Sequence, residues 1–414
     1  MDTIDALIKQ AVFEPDPQKQ PTLFQNIRKM AEDKGIYPAS IQSLYEAAGR
    51  GEFSGITVPA INIRMLTYDV ACAVFRAAKK DKVGALSFEI ARSEIGYTKQ
   101  SPAEYTACVM AAAMKEGIKG PVFIQGDHYQ FKQSAYEKNP ELEINEIKKL
   151  VKDSVEAGFY NIDIDASTLV DISKNDLNEQ QAKNSQVTAE MTKFIRNIEP
   201  NGVTISVGGE IGEIGKGNST IEDLRAFMSG YLKQLPKGTK GISKISVQTG
   251  TTHGGVVLPD GSIAKVKIAF DTLKQLSDTA RKEYGLGGAV QHGASTLPDE
   301  AFDNFPKVDT IEVHLATGFQ NIVYDSPYFP KDLLARVYGY LDTKCIGERK
   351  ASETDEQFHY NTRKKALGEF KKEMWNLPEA DLQAIMEELE ERFTLIFHKL
   401  NAINTKELVK KYIM

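Results

Sequence analysis

The sequence predicts an α/β protein built on a TIM (β/α)8 barrel with helical extensions at both ends. Eight short β-rich runs alternate with longer segments of helical period between residues 56 and 327, the pattern of a parallel sheet made of strand-helix units. Polar residues gather where those runs end, which is the end of a barrel that carries its chemistry. A doubly wound open sheet, the alternative, needs a glycine-rich phosphate loop after its first strand, and "NIRMLT" at 62–67 is not one.

Residues 1–55 read as a helical extension, because "TLFQNIRKMAEDKG" and "SIQSLYEAAGRG" each close on glycine as helix C-termini do. The barrel strands follow as "ITVPAIN" (56–62), "VGALSFEI" (83–90), "GPVFIQG" (120–126), "YNIDIDA" (160–166), "VTISVGG" (203–209), "ISKISVQTG" (242–250), "GGAVQH" (287–292) and "TIEVHLAT" (310–317). Between them lie amphipathic helices such as "TYDVACAVFRAAKK", "PAEYTACVMAAAMKEG", "EINEIKKLVKDSVEAG" and "STIEDLRAFMSGYLKQL". The last of these opens on Ser219 with Glu222 three residues on, a capping box. From residue 328 to 414 the pattern becomes charged helices, such as "ADLQAIMEELEERFTLIFHKL", whose charge runs read as solvated faces or as oligomer contacts.

Composition narrows the partners. With 51 basic and 57 acidic residues the net charge is −6, and no lysine-arginine block offers a nucleic-acid surface. No apolar run reaches the roughly 20 residues that cross a bilayer, and "MDTIDALIKQAVFEPDPQKQ" is too acidic and polar for a signal peptide. A cytoplasmic protein without membrane contact is expected. Cys72, Cys108 and Cys345 are too few and scattered for a disulfide framework and form no CxxC pair, so they read as plain buried thiols.

Asn62 ends the first strand; Asp127 and His128 end the third, Asp165 and Ser167 the fourth, Glu210 the fifth, His253 the sixth, His292 the seventh, and His314 and Thr317 the eighth. Four of the six histidines therefore fall at strand ends. Any one of them taken alone reads more simply as a structural residue. Together, His128, His253 and His292 describe three imidazoles around an open coordination position, the donor set of a catalytic zinc site or of another divalent transition metal. His359 and His398, in the C-terminal helices, read as structural.

"VGGEIGEIGKGNSTIED" carries glycines at 208, 209, 212, 215 and 217 and reads as a mobile loop, with Glu210 within reach of the metal or orienting its ligands. "QHGASTLPDE" and "HLATGFQN" place small residues and hydroxyls at the ends of strands seven and eight, where barrels bind phosphate; ordinary turn chemistry is the alternative. "HGGVVLPDGSIAKVKIAF" reads as a short hairpin after His253, or as a second lid.

Taken in order, these segments resemble the class II, metal-dependent ketose-bisphosphate aldolases over roughly residues 56–325. "PAINIRML" is similar to that family's "AFNVNN", "GDHYQ" to its Asp-His pair, and "GFYNIDIDAST" to its "GFxSxMIDxS". "VGGEIGEIG" is similar to "VEGELGxxGG", "TGTTHGG" to "IGTxHG", "VQHGAST" to "LHGxSG", and "IEVHLATGFQ" to "INIxTDxQ". The resemblance implies a lyase of carbohydrate metabolism, as in glycolysis, that cleaves or forms a phosphorylated ketose as a cytoplasmic homo-oligomer, a dimer or tetramer. It implies that His128, His253 and His292 bind Zn2+ with Glu210 able to approach it, and it allows a monovalent cation. Asp127 becomes the group that moves the proton of the carbon-4 hydroxyl, and Gly254, Gly293, Ser295 and Thr317 become phosphate-binding positions. Asn62, Asp165, Ser167 and His314 fall at substrate-binding positions.

Departures from the family leave two other readings open. The family continues its strand-five loop into acids, "GGEED", one of which handles the enediolate proton; this chain reads "GKGNST", with Glu213 as the available substitute. The strand-eight asparagine is His314 here, and the aspartate of "TD" is Gly318. "FEIARSEIGYTKQSPAEY" is similar to "GGYTGMTPADF" of the tagatose-bisphosphate aldolase accessory subunits, whose relatives include ketose and ketose-phosphate 4-epimerases. A 4-epimerase using the same bond cleavage is thus the first alternative. A non-catalytic accessory subunit is the second, and it would have no use for three histidines.

Overall fold

The computed structural model describes residues 3–212, 217–250, 258–259 and 268–413. Among these residues the sheet has nine parallel strands: β1 (Ile36–Ala39), β2 (Val58–Asn62), β3 (Ser87–Ala91), β4 (Gly120–Gln130), β5 (Asn161–Asp165), β6 (Ser206–Gly212), β7 (Lys244–Val247), β8 (Ala289–Gln291) and β9 (Glu312–Leu315). Strands β2 to β9 pair in sequence order, and the pairing of β2 with β9 closes them into the expected eight-stranded barrel. Each expected strand lies within or overlaps an observed one.

The N-terminal segment differs from the helical expectation. Ile36–Ala39 pairs in parallel with the first residues of β4, from Ile36 opposite Gly120 to Ala39 opposite Phe123. Asn161 secures it: its amide donates to the carbonyls of Ala39 (3.1 Å) and Ile124 (3.0 Å), and its Oδ1 accepts from Ile41 N–H (2.8 Å). Pro38 falls inside this strand, where a helix interior would have lost a hydrogen bond to it.

The helices form where their caps and apolar stripes put them. Ser101 caps Pro102–Lys115 by accepting from Glu104 N–H (3.2 Å), and Gly158, at φ +101°, ends Pro140–Ala157 in the left-handed conformation. The capping box expected at Ser219 and Glu222 sits one residue later, with Thr220 and Asp223 bonding each other's backbone. Ser219 instead pairs with Gln248 just after β7, its hydroxyl accepting from Gln248 N–H at 3.0 Å.

The C-terminal helices share the barrel's core. Glu379–Lys399 packs along Thr67–Lys80 and buries Ile385, Leu389, Phe393 and Phe397. The chain then crosses the barrel's lower rim, where Leu400 O accepts from Thr57 N–H (3.0 Å) and Thr405 Oγ1 accepts from the N–H groups of Gly84 and Ala85 (both 3.0 Å). Cys72, Cys108 and Cys345 are buried free thiols. Among the described residues, no helix is long and apolar enough to cross a membrane.

Helix Thr67–Lys80 carries one carboxylate at odds with its surroundings. Burial pushes the Asp69 carboxyl up to about 6, with Lys115 opposing. A carboxyl raised in the folded state opposes folding above that pKa, and the penalty fades as pH falls toward the unfolded value near 4. Asp69→Asn is therefore expected to stabilise the protein by about 1–3 kcal/mol at a pH of about 8, with the gain vanishing near pH ~4. Urea midpoints measured across that range check this, and a gain that grows toward acid pH would contradict it.

Candidate active site

The mouth at the C-terminal ends of the strands opens into a cavity of about 500 Å3, within the size range of small-ligand sites. Asn62, Asp127, His128, His292, Gly293, Ser295, His314 and Thr317 line it, as do Glu89, Arg64 and Lys364. That Asp127 and His128 share one wall needs explaining, because consecutive strand residues point to opposite faces. The register of β4 against β5 shifts between Gly126 and Tyr129, a β-bulge, and His128 takes φ +42°. Such backbone costs about 1–3 kcal/mol in a non-glycine residue and persists only where the surroundings hold it. Gly126 permits the kink, since a Cβ there would lie 2.4 Å from the Tyr129 ring.

Two carboxylates hold the His128 ring: its Nδ1 lies 3.1 Å from Asp165 Oδ2 and 3.0 Å from Glu210 Oε2. Asp165 also accepts from Gln130 Nε2 (2.6 Å) and from Ser167 N–H and Oγ (3.0 and 2.6 Å). Burial would lower the His128 pKa, but Asp127 and Glu210 outweigh it and hold the ring well above the usual histidine range. Burial raises the Glu210 carboxyl to about 7, Asp165 adding to the shift and His128 opposing it. Asp165 and Ser167, expected at the substrate, thus stand behind His128 and outside the cavity wall.

His128, His292 and His314 form a stack of tilted rings with centroids 4.0 Å apart at each step. His292 Nε2 pairs with Ser246 Oγ at 3.1 Å. One ligand atom from each of Asp127, His128 and His292 falls within 4.8 Å of the others, and so do those of His128, Asp165 and Glu210. Both groups can hold a divalent cation. His253, Gly254 and Glu213, together with the expected hairpin after His253, lie outside the described residues. The glycine-rich segment expected as a loop is strand up to Gly212, and Gly208 has a packing reason: a Cβ there would stand 2.2 Å from Asp163 Oδ1.

Below this layer the barrel interior is ionic. His314 Nδ1 lies 2.8 Å from Glu89 Oε2 and 3.2 Å from Asp127 Oδ1, while its Nε2 lies 2.7 Å from Glu312 Oε1. Lys244, 1% exposed, pairs with Asp163 (3.0 Å) and Glu312 and donates to Gln125 Oε1 (2.9 Å). Tyr45 donates to Glu312 from the side. Burial opposes charge on Lys244 and Glu312, yet Asp163 and Glu312 hold the lysine above its usual range and Lys244 holds the Glu312 carboxyl below its own. Burial with Asp127 as neighbour pushes Glu89 up to about 8. Burial likewise opposes protonation of His314, but Glu89 and Asp127 hold it well above the usual histidine range.

Sequence reading missed Glu89, Asp163, Lys244 and Glu312 because it looked only at strand ends. A signal was there: "NIDID" and "EVH" place Asp163 and Asp165, and Glu312 and His314, two apart and so on one face. At the rim, Asn62 donates to Glu94 (2.7 Å), Ser295 Oγ accepts from Ala316 N–H (2.6 Å), and Thr317 Oγ1 accepts from Arg64 Nη1 (3.1 Å).

A closed parallel barrel with imidazoles and carboxylates converging at the C-terminal ends of its strands defines a barrel enzyme of the metal-capable kind. The chain belongs to the class II fructose-bisphosphate aldolase family, whose model matches residues 40–395. Class II aldolases are generally metal-dependent. No curated protein sequence matches the chain significantly.

Three solved structures illustrate the range of its structural relatives. A fructose-bisphosphate aldolase from Campylobacter jejuni is 19% identical with a TM-score of 0.53, covering 89% of this chain and 97% of its own. The fructuronate-tagaturonate epimerase UxaE from Cohnella laeviribosi is 10% identical with a TM-score of 0.64, covering 92% and 86%. A probable tagatose 6 phosphate kinase from Sinorhizobium meliloti is 15% identical with a TM-score of 0.56, covering 86% and 93%. At these identities the likeness is one of fold.

Proposed function

We propose that the chain is a metal-dependent carbon-carbon lyase that cleaves or forms a phosphorylated ketose by retro-aldol and aldol chemistry. The observation that carries this reading is the meeting of Asp127, His128 and His292 in one cavity wall, their ligand atoms within 4.8 Å. Two imidazoles and neighbouring carboxylates are the nitrogen and oxygen donors that suit zinc or a similar divalent ion, and His253 would add a third imidazole. When bound, such an ion supplies a Lewis acid for the ketose's carbonyl and hydroxyl oxygens and for the enediolate charge that bond cleavage leaves.

The chain's own groups do the rest. Asp165 and Glu210, both on Nδ1, orient His128 and would keep its proton on that side when a metal takes the opposite ring nitrogen as donor atom. Asp127 takes the proton of the carbon-4 hydroxyl as the bond between carbons 3 and 4 breaks, and returns it in the condensation direction. His314, 3.2 Å away, holds that carboxylate in place. Asn62 and His314 face the substrate hydroxyls, while Gly293, Ser295 and Thr317 line the wall toward its phosphate. Glu210, raised to about 7 by burial, would take up or release a proton near neutrality through its bond to His128.

A 4-epimerase on a similar sugar is the second reading, supported by the "GKGNST" loop without the family's acids and by the structural likeness to UxaE. There the aldehyde would rotate and rejoin before leaving. The deciding experiment incubates zinc-loaded protein with a panel of ketose phosphates, couples triose release to a dehydrogenase, and follows the sugars by NMR. A lyase releases triose; an epimerase yields a new ketose without it. Absence of both products would overturn both readings.

A further inference from the structure

Two cations in the cavity wall are left over by this chemistry, and they come from opposite ends of the chain. Arg64 follows β2. Its Nε bonds Glu94 Oε1 at 2.7 Å and its Nη1 bonds Thr317 Oγ1 at 3.1 Å, so the guanidinium is fixed in place against the cavity. Glu94 also accepts from Asn62 Nδ2 (2.7 Å) and Ala91 N–H (2.8 Å), which locks the arginine's partner as well.

Lys364 sits on the turn Arg363–Ala366 of the C-terminal extension, and both flanks of that turn are pinned. Arg363 holds Asp325 (2.6 and 3.1 Å) and Asn321 Oδ1 (2.6 Å), and Gly368 N–H donates to Tyr97 O at 3.0 Å. The turn therefore delivers the Lys364 side chain into the cavity that holds Asp127 and His128. Among the described residues its ammonium makes no hydrogen bond or ion pair, although it is half-buried. A lysine that merely lay at the rim would extend its charge into water. This one is desolvated beside a second cation, and burial, then Arg64, lower its pKa. Glu94 bonds Arg64 but leaves the Lys364 ammonium without a bonded anion, so an anion that joins both cations is favoured.

We propose that Arg64 and Lys364 form the recognition site for the anionic group of the substrate, a phosphate or a carboxylate, with Lys364 giving the C-terminal extension a direct part in substrate choice. The proposal rests on the reading of the cavity as a sugar site. Arg64 supplies the oriented N–H face, Lys364 the uncompensated charge, and Thr317 a hydroxyl at the start of helix Thr317–Asp325, whose first amides add to the field.

The test titrates inorganic phosphate and, separately, glycolate into the zinc-loaded full-length protein and its Lys364→Met and Lys364→Arg variants by calorimetry. Lys364→Met is expected to weaken the better-bound anion by about 10–100-fold, the scale of a lost hydrogen bond to a charged group, while Lys364→Arg retains it. Tighter phosphate binding points to a ketose phosphate, and tighter glycolate binding to a sugar acid. On any ketose that is turned over, Lys364→Met should raise KM and leave kcat within about twofold, the mark of lost uniform binding. Equal affinity of wild type and Lys364→Met, binding of neither anion by wild type, or an unchanged KM would overturn the proposal. Anion binding that depends on Lys364 without turnover of any ketose would uphold it and defeat the aldolase and epimerase readings instead.

Discussion

Asp127→Ala is expected to lower turnover by about 10²–10⁴-fold, the usual contribution of a positioned general base, while the imidazoles of His128 and His292 keep the metal. The reason lies in the division of labour across one peptide bond. Asp127 pairs with His314, whereas His128 is gripped by Asp165 and Glu210. Loss of His128 in His128→Ala should therefore cost metal as well as turnover, because it removes a donor and leaves two carboxylates without their imidazole. Metal content measured beside kcat separates the variants. Normal metal and normal turnover in both would show that the reaction centre is elsewhere.

Lys244→Met is expected to destabilise the fold by about 3–5 kcal/mol near pH ~8, the cost of stranding buried charges whose partner is gone. Glu312 and Asp163 both lean on this ammonium, and neither can turn to water from the barrel interior. The sign of the pH dependence follows. The pairing holds the Glu312 carboxyl below its usual range, so this stability is present at neutral pH and lost in acid. In Lys244→Met the stranded carboxyls should titrate higher, and protonating them relieves the strain. The deficit should accordingly shrink as pH falls toward about 5. Denaturation midpoints of the two proteins at several pH values test this, and a deficit independent of pH would refute the account.

Much of this architecture was legible in the residues. Strands such as "GPVFI" and "GAVQ" are short, apolar and β-branched, bounded by glycine, and the fold buries them as barrel staves. The placement of Asn62, Asp127, His128, His292 and His314 at strand ends also followed from sequence, since chain order alone brings strand ends to one mouth. The bulge at His128 was not legible, because it depends on the Tyr129 ring seated over Gly126, a contact no periodicity encodes. Lys244 was hidden for a different reason: a lysine in "ISKISV" reads as a solvent-facing position until the carboxylates of β5 and β9 are brought opposite it. Lys364 could not be found at all, since nothing in "NTRKKALG" says which of its cations turns inward.

The bulge in β4 has one more effect. Asp127 and His128, the proposed proton carrier and metal-binding imidazole, are adjacent residues about 3.8 Å apart from Cα to Cα. Their separation is a covalent dimension. Glu210 stands on another stave and His292 follows a third, so their distances to His128 are set by how the staves pack. In the proposed reaction, the group that carries the proton and the imidazole that would hold the metal are therefore tied by one peptide unit rather than by packing between staves.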